Sequence, residues 1–326
     1  MMTFISKRDS MLLAATTTLA APSCPVRIDG QRLAQVATHI TPQGLTDWDF
    51  YLPRALRRDA PVPMHQTPDD RLLDVAWFFW VQSALNYRYW SLAADGSLDH
   101  WVYKGKKGSS GLVPLMQELY DSSPLFGTDL DATAAFLNDR LRDGFYGLPD
   151  GNRRAHILHH MMCVGKHVFV RIFARAKQAD GSWLMSADLA DELANAFRPA
   201  FDDDNFLKRA QLSLGMTGAN FTARGARVTI DLTAYADYRV PQVLRHLGVL
   251  VYDTALADAV DNRRLIPRDS ADEVAIRSAT LVACADLAAR ARVSDADVDA
   301  WLFLQTREAD FEATAKPFHL TVTNTY

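Results

Sequence analysis

An acid, a phenol and a guanidinium follow one another at Asp237, Tyr238 and Arg239, within "LTAYADYRVPQVL" (232–244). Pro241 and an apolar helical pattern stand just behind them. If Asp237 is the N-cap, residues 238–240 form the first turn and Pro241 falls where a missing N–H costs little. A structural role is then complete: a capping acid, with a tyrosine and an arginine leaning on neighbours. The chemical alternative adds that the helix dipole and its free N–H groups favour the carboxylate anion and fix its aim. A reaction passing through a sugar cation needs such a carboxylate, to stabilise oxocarbenium charge and to orient or deprotonate the attacking water. Pattern alone leaves the two readings level.

Other stretches offer chemistry on weaker terms. "HILHHMMCVGKH" places His156, His160, Cys163 and His167 at spacings of four, three and four on one expected helix face. Imidazole and thiolate suit zinc, but four groups along one helix cannot surround a tetrahedral ion, so a polar face rich in histidine is the simpler reading. "GKKGSSG" (105–111) could cradle a phosphate, yet it lacks the spacing and terminal Lys-Ser/Thr of a P-loop and reads as a basic surface turn. "DADVD" (295–299) has alternate acids without the glycine and glutamate of a calcium loop, and reads as a helix start where acids complement the dipole. Cys163 beside histidines lacks any nucleophile motif. "FLKRAQL" (206–212) sets Lys208 and Gln211 three apart, with Arg209 a step round the helix, either as a solvated face or as cations for a phosphate.

The elements that must position these groups are helices. Residues 69–90, "DDRLLDVAWFFWVQSALNYRYW", put Leu72, Val75, Ala76, Phe79, Ser83 and Asn86 on one stripe. Trp77, Phe78 and Trp80 make that helix apolar nearly all round, so it belongs at the centre of a core. Amphipathic helices are predicted over 129–145, 152–176, 186–197 and 204–216. Ser270 with Glu273 spells a capping box, Glu273 and Arg277 are spaced for an i,i+4 pair, and Ser294 caps the following helix. The strand candidates are few and short, 100–105 and 226–232. The expected architecture is therefore all-α, one domain over 1–326, with room for two lobes.

Composition narrows the function classes. The 326 residues are 48% hydrophobic and 23% charged, with net charge −4, so no basic excess points to a long phosphate backbone as partner. A small anionic ligand held by a few local cations remains compatible. The run "KRDSMLLAATTTLAAPSC" imitates a secretory leader, but threonines break its apolarity and no A-x-A site follows. Cys24, Cys163 and Cys284 are odd in number and far apart, a pattern that fits a reducing cytoplasm. No apolar run is long enough to span a membrane.

At "YADYRVPQVLRHLGVLVY" (235–252) the chain resembles the queuosine salvage family of queuosine 5′-phosphate N-glycosylase/hydrolases. "LNYRYWS" (85–91), "ILHHMMCVGK" (157–166), "FLKRAQL", "EVAIRSAT" (273–280) and "PFHLTVTNTY" (317–326) fall in the family's order, so the resemblance covers most of the chain. It implies an all-helical enzyme similar to helical DNA glycosylases that releases queuine from queuosine 5′-monophosphate without metal or organic cofactor. On this resemblance Asp237 is the catalytic aspartate, and Tyr238, Arg239 and Gln242 line or brace the site. Lys208, supported by Arg209 and with Gln211 on the same helix, takes the phosphate, with His319 a second contact. Asn86, Tyr87, Tyr89 and Trp90 form the wall on which a flat deazaguanine stacks.

The chain also departs from the family pattern. "NYRYW" stands where Asn-Phe-x-Phe-Trp is common, Leu320 and Val322 replace frequent arginines, and "SLGMTGANF" (213–221) lacks a usual tryptophan. The expectation is a cytoplasmic, monomeric, metal-independent hydrolase of a small nucleotide, with no nucleic-acid or membrane partner. Its rivals are a hydrolase of another purine nucleotide, a non-catalytic deazaguanine-binding protein and, by fold analogy alone, a nucleic-acid glycosylase.

Overall fold

The computed structural model describes residues 5–41, 47–64, 66–308 and 310–326. Among these residues lie fourteen α-helices and eight strands of two to four residues, the strands forming four two-stranded pairs. The chain is thus mainly helical, and the apolar side chains gather in two large clusters.

The larger cluster surrounds the helix Pro68–Ala84. Thr67 and Asp70 close a capping box at its start, and Val75 to Ala84 are buried without interruption. Its all-round apolar surface requires partners on every side. Trp80 stacks on Phe201 with ring centroids 3.9 Å apart, and the helix packs along Lys208–Ala223. Gly218 of that second helix lets Met185 and Ile230 approach from the parallel strands Trp183–Ser186 and Val228–Asp231.

The smaller cluster is built from the helices Gly30–Ala37, Arg239–His246, Thr254–Asp261, Ala271–Ala291 and Asp295–Gln305. It is closed by strand Val26–Ile28 pairing antiparallel with Leu250–Tyr252. The segment that imitates a secretory leader forms the helix Lys7–Ala20, which lies along Ala271–Ala291 and buries Met11 and Ala15. Among the described residues, no helix is long and apolar enough to cross a membrane.

Several predicted boundaries move. Residues 152–176 form two main helices, Gly151–Val164 and Lys166–Phe173, because Gly165 sits at φ 86° between them. His167 therefore lies beyond the break, off the helix that carries His156, His160 and Cys163. Among the described residues no three His, Cys, Asp or Glu side chains gather in metal-binding geometry. The helix expected at 204 begins at Lys208, since Leu207 is left-handed at φ 50° and Asp203 Oδ2 accepts the Lys208 N–H at 3.0 Å. Ser270 accepts the Glu273 N–H, but the Glu273 carboxylate turns to the Asp269 N–H and to Arg277, so only half of that box forms. "GKKGSSG" spans the strand Lys106–Lys107, both lysines exposed, and the start of helix Ser109–Ser122.

Candidate active site

Between the two clusters opens a cavity. The stretch that leads into it, residues 232–238, connects the strand Val228–Asp231 to the helix Arg239–His246. Tyr238 occupies the cap position with a helical backbone, one residue later than an Asp237 N-cap would give. Asp237 still acts on the helix end: its Oδ1 accepts the N–H groups of Arg239 at 2.7 Å and Val240 at 3.1 Å. Pro241 is the third helical residue, a position whose N–H has no partner inside a helix.

Oδ2 of Asp237 faces the ammonium of Lys208 at 3.7 Å, an ion pair just beyond hydrogen-bond length. Burial depresses the Lys208 ammonium below its ordinary range, and Asp237 with Asp299 pulls it back up. Two further features hold the stretch in place. Gln211 is fully buried and makes three hydrogen bonds, donating to Phe206 O at 2.9 Å and Thr233 Oγ1 at 2.8 Å and accepting from Thr233 N–H at 2.9 Å. Gly215 leaves room for Tyr235, whose hydroxyl would lie 1.8 Å from any added Cβ.

Asn86, Tyr87, Arg88 and Tyr89 line the cavity from the turn after the central helix. Tyr89 donates its hydroxyl to Asn86 Oδ1 at 2.8 Å and stacks on Trp101. The Tyr87 hydroxyl is buried with no hydrogen-bond partner among the described residues. Trp48, Tyr51 and Phe303 add aromatic surface, and Asp299 adds a second carboxyl group. Tyr238 and Arg239 also reach an outer chamber, lined by Lys107, Arg263, Arg307 and Gln242 and by the carboxylate of Glu312.

The comparisons with known proteins bear on this cavity. The family model described as queuosine salvage protein matches residues 64–326. The chain belongs to the queuosine salvage protein family. A queuosine 5′-phosphate N-glycosylase/hydrolase of Sphaerobacter thermophilus is 30% identical to it over 335 residues, covering 97% of each chain. Proteins of the same name from Nematostella vectensis and Dictyostelium discoideum are 28% identical over 62% of each chain, and 39% identical over 23% of this chain and 25% of the relative.

Of the residues singled out from this family member's sequence, Asn86, Tyr87, Tyr89, Lys208, Asp237, Tyr238 and Arg239 line one cavity. The others lie elsewhere. Trp90 and Gln242 face the outer chamber, and Gln242 donates to Lys316 O at 2.8 Å. Arg209 is buried beneath the wall, donating to Ala84 O and Ala200 O and stacking on Tyr87 at 5.1 Å. His319 is buried against Tyr326, with Nε2 3.1 Å from its hydroxyl. Leu320 packs in a small cluster with Trp90 and Phe318.

Sequence reasoning passed over Trp48, Tyr51 and Phe303, and read Asp299 only as one of the acids of a helix start. For Asp299 one signal was present. Asp295 and Asp297 occupy the first turn, where acids serve the helix end, whereas Asp299 stands a turn further on among apolar residues.

Proposed function

We propose that this chain hydrolyses the N-glycosidic bond of queuosine 5′-monophosphate and releases queuine. The observation that carries the proposal is a carboxylate, Asp237, held by two helix N–H groups at the mouth of an aromatic-lined cavity, with a buried ammonium 3.7 Å away. The printed names of the relatives support the same substrate. In this reading the base lies against Tyr87 and Tyr89, and Asn86 meets its polar edge. Asp237 stabilises positive charge at the anomeric carbon and takes a proton from the attacking water. Lys208 fixes that carboxylate and faces the ribose. The 5′-phosphate lies toward the outer chamber, which Lys107, Arg263 and Arg307 line together with Arg239, itself paired with Glu312.

The protein acts on the free nucleotide as a single-domain cytoplasmic monomer, a setting consistent with its three unbridged cysteines. A second reading, hydrolysis of another purine nucleotide, draws on Tyr87 and Tyr89, phenols where family members commonly carry phenylalanine, and on Arg88 between them in the same wall. The test is incubation with queuosine 5′-monophosphate in EDTA, following free base by chromatography, beside Asp237→Asn. Release by wild type and its loss in the variant is the expected result. No release from queuosine 5′-monophosphate, with release from guanosine or adenosine 5′-monophosphate, favours the second reading.

A further inference from the structure

We infer that Asp299 is the proton donor to the departing base, working opposite Asp237 in the same cavity. The inference rests on the hydrolase reading above and assigns a group that reading leaves unused.

Asp299 projects from the helix Asp295–Gln305, which belongs to the smaller cluster, and lines the cavity shared with Asp237 and Lys208. Its side chain is buried, and Oδ1 accepts the Tyr235 N–H at 2.8 Å. That bond fixes the carboxyl group against the backbone that carries Asp237 two residues on. Charged and titratable groups face it from every element around it. Asp237 and Lys208 approach from the loop and the helix Lys208–Ala223, the Tyr235 phenol from the same loop, the Cys284 thiol from Ala271–Ala291, and Asp295 from one turn back. Burial first, and the charge of Asp237 next, push the Asp299 carboxyl up to about 7, against the opposing pull of Tyr235 N–H and Lys208. Arg8 pairs with Asp295 at 3.0 Å, so that neighbouring acid has its own cation. Two carboxyl groups in one cavity, one held by two helix N–H donors and facing an ammonium, the other buried without an ion-pair partner among the described residues, divide naturally into base and acid.

The step balances. As the bond between C1′ and the base nitrogen breaks, its electron pair stays on the base, and the Asp299 O–H proton moves to that nitrogen. Water adds to C1′ and loses a proton to Asp237. Transfer of that proton from Asp237 to Asp299, directly or through solvent, restores both groups, so base and ribose 5-phosphate leave with the elements of one water added.

The test separates this role from a structural one through Asp299→Asn, whose amide oxygen still accepts the Tyr235 N–H. Two substrates are used: queuosine 5′-monophosphate, and 4-nitrophenyl β-ribofuranoside 5′-phosphate, whose phenolate leaves without a proton. The variant is expected to lose at least about 10²-fold in kcat on the nucleotide but under about 3-fold on the nitrophenyl compound, and to lose the fall in rate that wild type shows as pH rises through neutrality. Asp237→Asn is expected to lose on both. Equal losses on the two substrates, or none, overturn the assignment. So does carbon-13 NMR of the folded wild type if the carboxyl resonance missing from Asp299→Asn titrates below about pH 5. Failure of a folded wild type to release either leaving group overturns the hydrolase reading itself, and this assignment with it.

Discussion

Arg277 and Lys208 are both buried cations beside Asp203, which accepts the guanidinium of one and the backbone N–H of the other, yet their surroundings differ in kind. Arg277 donates to Asp203 at 3.1 and 2.7 Å, to Glu273 at 3.3 Å and to Ala236 O at 3.0 Å, and its guanidinium lies between the rings of Phe206 and Tyr326. Burial alone would weaken its hold on its proton, but the two carboxylates more than offset that and raise it. Arg154 likewise commits its donors, to Pro149 O, Leu85 O, Tyr87 O and Arg88 O beneath the Tyr87 ring, although burial there lowers its hold on its proton. Lys208 has a single carboxylate beyond hydrogen-bond length. A guanidinium whose donors are used up serves as scaffold, whereas a buried ammonium left short of partners remains available to a ligand.

The strongest way to break this comparison is to remove the scaffold cation. Arg277→Met strands Asp203 and Glu273, and is expected to cost about 3–5 kcal/mol in urea unfolding. A cost below about 1 kcal/mol would mean that these carboxylates find other partners. Next in size, Asp237→Asn keeps an oxygen for the helix N–H groups, so stability should hold while kcat for base release falls about 10²–10³-fold. Lys208→Met should resemble Asp237→Asn rather than Arg277→Met, with kcat/KM down about 10–100-fold and unfolding within about 1 kcal/mol of wild type. Removing Lys107 and Arg307 together by glutamine sharpens the map further. KM for the 5′-phosphate should rise about 10-fold while the nucleoside is unaffected, if the outer chamber holds the phosphate.

The comparison extends to pH. Burial, with Arg277 adding to it, pushes His319 of the scaffold down to about 3. The unfolded chain takes a proton there near pH 6.5 while the folded chain does not, so stability is present above that value and is lost as pH falls toward 3. Asp299 of the site behaves oppositely. The folded chain keeps its proton up to about 7, whereas the unfolded chain releases it near pH 3.9, so rising pH across that window favours unfolding. Melting curves of His319→Gln should flatten the acid limb, and those of Asp299→Asn the neutral one.

Much of this was legible in the sequence where the determinant is local. The all-round apolar run in 69–90 demanded a central helix, and an acid shortly before Val240 and Pro241 announced a carboxylate at a helix start. The late start at Lys208 was hidden because it depends on a left-handed Leu207, a residue type that gives no such warning. Arg209 and Gln211 stood beside Lys208 in sequence, but each helical step turns a side chain by about 100°, enough to direct Arg209 under the wall. Asp299, set apart in sequence by its place a turn beyond the capping acids, reaches the cavity only because the helix Asp295–Gln305 packs beside Arg239–His246, a tertiary fact that spacing does not report.

The pairing of Val26–Ile28 with Leu250–Tyr252, and of helix Lys7–Ala20 with Ala271–Ala291, has a consequence for biosynthesis. The N-terminal segments leave the ribosome roughly ten to fifty seconds before their partners are translated. Met11, Val26, Leu33 and Val36 are exposed throughout that interval, which makes the nascent chain a natural client for chaperones that cover apolar segments.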